Sequence, residues 1–234
     1  MGGMVPDRAR PLDSPGHPRD AHLAENFRAG DVLLFSGRDR VSTLIKLASV
    51  PLLYWPGVQL ALHPLARQPH WRWISHVAIC CDWHSEVILV ESTTMNDEPC
   101  LVRHVRIDGV QAHEPKRRIA GYPGVVWRMR PAPGWELTNA RRDELTRFVH
   151  WQFGEGYDFA GAARSASWLP DVYRQAVRFC SDLAAACLTR IGYLAVSNPK
   201  GYTPSGLAGA LYRNGNFVVE RLVKSDAHRA EGST

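Results

Sequence analysis

Residues 74–93, ISHVAICCDWHSEVILVEST, contain two strand-like apolar runs, 74–83 and 85–93, separated by so little chain that they must fold back as an antiparallel β-hairpin. With the turn centred between Trp83 and His84, His76 faces Glu91 directly. Directly opposed residues share a face of the sheet, with Cβ atoms about 4.5–5.5 Å apart. A carboxylate on the second strand then holds the imidazole of the first in one tautomer. A slip of one residue would send the two side chains to opposite faces.

A second stretch brings a nucleophile. In residues 178–194, RFCSDLAAACLTRIGYL, the apolar positions Leu183, Ala184, Cys187, Leu188 and Ile191 form one buried helical stripe, and Gly192 supplies the stop. Cys180 falls in the first turn, near the unpaired amides and the positive end of the helix dipole, a setting that favours the thiolate of a cysteine. Taken alone, a cysteine in a helical pattern is more often a small buried hydrophobe. Asp182, close by, suits the helix dipole but opposes a thiolate.

Around these stretches the chain reads as one α+β domain over residues 25–224. The run 31–35 reads as a strand, 41–50 as a short helix, and 100–107 and 124–130 as further strands. The polar segment 108–123 between the last two reads as a loop. Residues 138–153 show helical spacing at Leu145, Phe148, Val149, Gln152 and Phe153, capped by Thr138 or Asn139 and stopped by Gly154. Residues 154–176 look irregular. Thr203-Pro204 caps a last helix, and 217–223 closes the chain as a strand. Residues 1–24 and 225–234 lack periodicity and read as disordered tails.

The chain has 234 residues, 45% of them hydrophobic and 22% charged, with a formal net charge of +5. This is an ordinary globular composition. The basic residues are scattered, which argues against a nucleic-acid partner; the one run, Lys116-Arg117-Arg118, reads as a solvated loop. Five cysteines, at 80, 81, 100, 180 and 187, follow no disulfide framework, and the first residues carry no signal-peptide core, so a reducing cytoplasm is the expected location. Cys80 and Cys81 point to opposite faces of one strand, and the histidines lack zinc-site spacing, so neither a metal nor a cofactor is expected. The most apolar segment, 47–66, is broken by Pro51, Pro56 and Pro64 and does not read as a membrane span. The aromatic stretch 51–73 exceeds what a plain connection needs. It walls an apolar pocket, caps the sheet, or, over 44–66, touches a membrane surface peripherally.

The succession Gly30-Asp31 before a strand, Ser75-His76-Val77-Ala78-Ile79, Val90-Glu91-Ser92, Gly156-Tyr157-Asp158, Phe179-Cys180-Ser181-Asp182-Leu183 and Thr203-Pro204-Ser205 resembles the circularly permuted, papain-like branch of the NlpC superfamily. That branch includes amidases of the YiiX and YaeF type and is related to lecithin retinol acyltransferases. The resemblance spans residues 28–212 and implies an antiparallel sheet packed against helices, with the cysteine at a helix N-terminus. It also implies Cys180 as nucleophile, His76 as general base and Glu91 as the group aligning the histidine, the cysteine following the histidine as permutation requires. The activity implied is hydrolysis of a peptide or N-acyl amide through a thioester. The alternatives are lipid acyl transfer or thioester hydrolysis on the same fold, and an inactive member that binds lipid or peptide.

Overall fold

The computed structural model describes residues 19–22, 26–37, 74–94, 96–157, 177–195 and 202–223. The short helix expected at 41–50, the segments 44–66 and 51–73, and the tail 225–234 lie outside these residues.

The hairpin forms as β3 (His76–Trp83) and β4 (Glu86–Thr93). Its two-residue turn is His84-Ser85, both left-handed at φ 45° and 74°, the conformation that matches the twist of a tight hairpin. The register runs from Ile79 opposite Val90 to Trp83 opposite Glu86. Continued in step, it places Ala78, not His76, across from Glu91. The expected direct opposition is therefore corrected to a diagonal one, because the turn lies one residue further along. The displacement is even, so His76 and Glu91 keep a common face.

Around the hairpin a seven-stranded sheet has the order β1-β9-β6-β2-β3-β4-β5, with β2 at Val32–Gly37, β5 at Gly109–His113, β6 at Gly124–Pro131 and β9 at Phe217–Val223. All its pairings are antiparallel except that of edge strand β1 (Arg19–His22), which runs parallel to β9. Strand β1 lies within the segment read as a tail. An edge strand needs only backbone hydrogen bonds on one side, so RDAH carries no apolar pattern to announce it.

The helices expected from spacing form where their caps place them. Helix α2 (Asn139–Gln152) starts at Thr138 and α4 (Pro204–Arg213) at Thr203, whose hydroxyl accepts from Gly206 N. Helix α3 (Cys180–Arg190) packs on β3 and β4, with α2 and α4 beside it. Their apolar faces join Val32, Leu34, Val77, Ile79, Cys81 and Val90 in the larger core. The opposite face of the sheet holds a smaller core of Leu33, Phe35, Ala78, Cys80 and Leu89, closed by Ile119 of α1 (Pro115–Ala120). Cys80 and Cys81 thus do point to opposite faces.

Two expectations fail between β4 and β6. Residues 100–107 form turns, closed by Cys100 N to Val105 O (3.0 Å) and His104 N to Cys100 O (2.8 Å), with His104 left-handed at φ 58°. The strand is instead β5, and α1 follows it, both inside the stretch read as a loop. All five β5 residues are buried, Gln111 and His113 included, so polarity disguised an interior strand. Further on, Gly156–Tyr157 (β7) and Val177–Arg178 (β8) form a small parallel pair leading to α3.

Candidate active site

His76 is the first residue of β3, and its backbone is pinned from both sides. Ser75 N donates to the Phe35 carbonyl at 2.9 Å, the Ser75 hydroxyl accepts from Gly37 N at 3.3 Å, and the Ser205 hydroxyl donates to the Ile74 carbonyl at 3.1 Å. The Ser75 and Ser205 motif positions therefore serve to fix where His76 begins. Its ring packs against Phe35, the residue opposite it on β2, at 5.5 Å between centroids.

The imidazole Nε2 lies 2.6 Å from Glu91 Oε2, with the Glu91 side chain fully buried. Cys180 lies near the same ring, near enough to act on the charge of the imidazole. With Nε2 engaged by the carboxylate, Nδ1 is the nitrogen left for the sulfur. Burial works against charge on His76, but Cys180, and after it Glu91, raise its pKa to about 9. Glu91 is held well below the usual carboxylate range: burial opposes its charge, and the His76 hydrogen bond and Arg118 outweigh burial.

Cys180 is the first residue of α3 and is 1% exposed. The N-cap residue is Phe179, whose side chain has no oxygen to offer the first amides, unlike the usual capping residues. Ser181 ties the same turn to α4 by donating to the Tyr202 carbonyl. Asp182 is nearly buried in this turn. The remaining cysteines are also buried thiols, and burial pushes the Cys80 and Cys81 thiols up, keeping them protonated.

The structure thus brings Cys180, His76 and Glu91 together and adds a fourth group that the sequence did not single out. Arg118, read as part of a solvated run, is only 11% exposed and donates to Glu91 from Nε at 2.6 Å and Nη2 at 3.3 Å. The signal for it was Glu114-Pro115, a cap and N1 proline ahead of KRRIA, which starts α1 and turns Arg118 inward. The Glu114 carboxylate accepts from Lys116 N and Arg117 N. Its neighbour in the run, Arg117, pairs with Glu98 at 2.9 Å and is largely exposed. Among the described residues no three His, Cys, Asp or Glu side chains gather where they could hold a metal ion, and no helix is long and apolar enough to cross a membrane.

No protein-family model matches the chain, and no curated protein matches it. Among solved structures, one described as the metalloprotein yiiX from Escherichia coli O157:H7 is similar at a TM-score of 0.46 and 17% sequence identity, over 86% of this chain and 91% of that one.

Proposed function

We propose that the chain is a cysteine hydrolase of amidase or peptidase type that works through a thioester. The observation that carries this reading is a cysteine opening a buried helix against an imidazole whose far nitrogen is held by a carboxylate at 2.6 Å. A thiol nucleophile needs a base within reach and a third group orienting that base.

In the first half-reaction the Cys180 sulfur attacks the carbonyl carbon and the Cys180 proton resides on His76. The carbonyl oxygen gathers negative charge opposite the Cys180 amide at the start of α3. As the C–N bond breaks, His76 gives its proton to the departing amine, leaving a thioester. Water then loses a proton to His76 and attacks the same carbon. The acid leaves, and the proton returns to the sulfur.

The test is adduct mass. Incubation with a panel of peptide amides, N-acyl amides and lipid esters should add an acyl mass to the peptide bearing Cys180, and Cys180→Ala should add none. His76→Ala should lower turnover of the accepted substrate by about 10²-fold or more. If no panel member acylates Cys180, and iodoacetamide modifies it no faster than the buried Cys80, the hydrolase reading fails.

A further inference from the structure

We propose that Arg118 is a positioning residue that neutralises Glu91, so that Glu91 orients His76 without holding its proton. This inference rests on the cysteine-hydrolase reading for its purpose, though not for its measurement.

The geometry around Glu91 is crowded. Oε2 is shared by His76 Nε2 and Arg118 Nη2, while Oε1 takes Arg118 Nε at 2.6 Å. This is a two-pronged guanidinium–carboxylate contact in a site where the carboxylate is fully buried. The guanidinium cannot readily turn away. Its Cζ lies 5.4 Å from the ring centres of both Phe35 and Tyr122, and Phe35 also carries His76. Arginine keeps its charge at any working pH, so Glu91 and Arg118 together are close to neutral.

The other charged or titratable groups do not supply that balance. His113 on β5 approaches Glu91 Oε1 at 3.6 Å, its Nε2 already 3.0 Å from Asn96 Nδ2 and 3.1 Å from Gln111 Oε1. Burial holds it below the ordinary histidine range, so it stays neutral. Arg117 and Glu98 pair with each other. From α3, Cys180 faces His76 itself, and it stands ahead of Glu91 among the groups that raise the imidazole's pKa.

The chemical consequence follows from the task of the imidazole. It must accept a proton from the thiol and then release it to the leaving amine, and an over-stabilised imidazolium releases it poorly. An uncompensated buried carboxylate at 2.6 Å would over-stabilise it. Paired with Arg118, the same carboxylate acts mainly as a fixed hydrogen-bond acceptor.

The experiment is an NMR titration of the His76 ring in the full chain, for wild type, Arg118→Met, Arg118→Gln, Glu91→Gln and the Glu91→Gln/Arg118→Met double variant. Arg118→Met and Arg118→Gln should each raise the His76 midpoint by about one pH unit, and Glu91→Gln should lower it by about as much. The double variant should return to within a few tenths of a unit of wild type, and Arg118→Lys, which keeps the charge, should stay near wild type. The glutamine variant serves if the methionine variant does not fold. A wild-type midpoint in a folded Arg118→Met or Arg118→Gln chain, or a double variant that stays displaced, overturns the proposal. If the midpoints move as stated while Cys180 never acylates or alkylates, the hydrolase reading falls and the charge role of Arg118 stands.

Discussion

At the scale of single residues, the influence of Cys180 and Glu91 on His76, and of His76 and Arg118 on Glu91, makes folding stability depend on pH in two windows. His76 has a folded pKa raised to about 9, above its unfolded value. Its contribution is fully present below about pH 6.5 and is lost as pH rises through about 9, amounting to at most about 3 kcal/mol. Glu91 has a depressed folded pKa, so its contribution is present above about pH 4.3 and is lost as pH falls further. The Tm should therefore decline between pH 6.5 and 9.5, and His76→Gln should flatten that decline and shrink the acid limb, where Arg118 still holds Glu91 charged. An unchanged alkaline slope in His76→Gln would detach the slope from this residue. Cys180, His76 and Glu91 were legible in the sequence because each residue type bears chemistry and strand parity groups two of them on one face. Arg118 was not, because the cap and N1 proline at Glu114-Pro115 mark where a helix starts but not which of its arginines is buried; that is decided by a carboxylate 27 positions earlier.

At the scale of elements, legibility followed apolar spacing and caps. Helices α2, α3 and α4 each carry an apolar stripe, and Thr138 and Thr203 mark the starts of α2 and α4. Strand β5 and helix α1 have neither a clean alternation nor a long stripe, because β5 buries Gln111 and His113 and α1 has six residues. What holds β5 in place is close backbone approach. Gly109 has φ 130°, and a Cβ there would sit 2.0 Å from the Glu155 carbonyl oxygen. The clash is with backbone and cannot be relieved by a rotamer change. Gly109→Ala should cost about 3 kcal/mol or more in urea unfolding, a loss that ordinary loop glycines would not show. Glu114→Ala removes the side-chain cap of α1 and should cost about 1 kcal/mol. Because α1 carries Arg118, the same variant should also raise the His76 midpoint slightly in the NMR titration. A capping loss with no movement of that midpoint would mean that Arg118 is held by Phe35, Tyr122 and Glu91 alone.

At the scale of the molecule, β2 divides the sheet into two parts with different duties. On one side β3, β4 and β5 carry His76, Glu91 and the approach to α1; on the other, β6, β9 and β1 carry none of the proposed chemistry. That second half has its own buried charge. Arg128 is fully buried, stands opposite Glu220 in the β6–β9 register, and donates to its carboxylate from Nε at 2.7 Å, with Phe27 5.6 Å away across the guanidinium face. Removing one member of such a pair leaves a buried charge uncompensated, whereas replacing both with apolar groups of similar size does not. Glu220→Ala should therefore cost about 3–5 kcal/mol in urea unfolding, and the Arg128→Met/Glu220→Leu double variant should lie much closer to wild type. Across β2, the folded Glu220→Ala chain should keep the wild-type His76 midpoint and the wild-type rate of Cys180 alkylation. Glu91→Gln, by contrast, should move the midpoint even where its stability loss is smaller. If Glu220→Ala shifted the His76 titration, the two halves would be electrostatically coupled, and the charge balance assigned to Arg118 would have to include Arg128 as well.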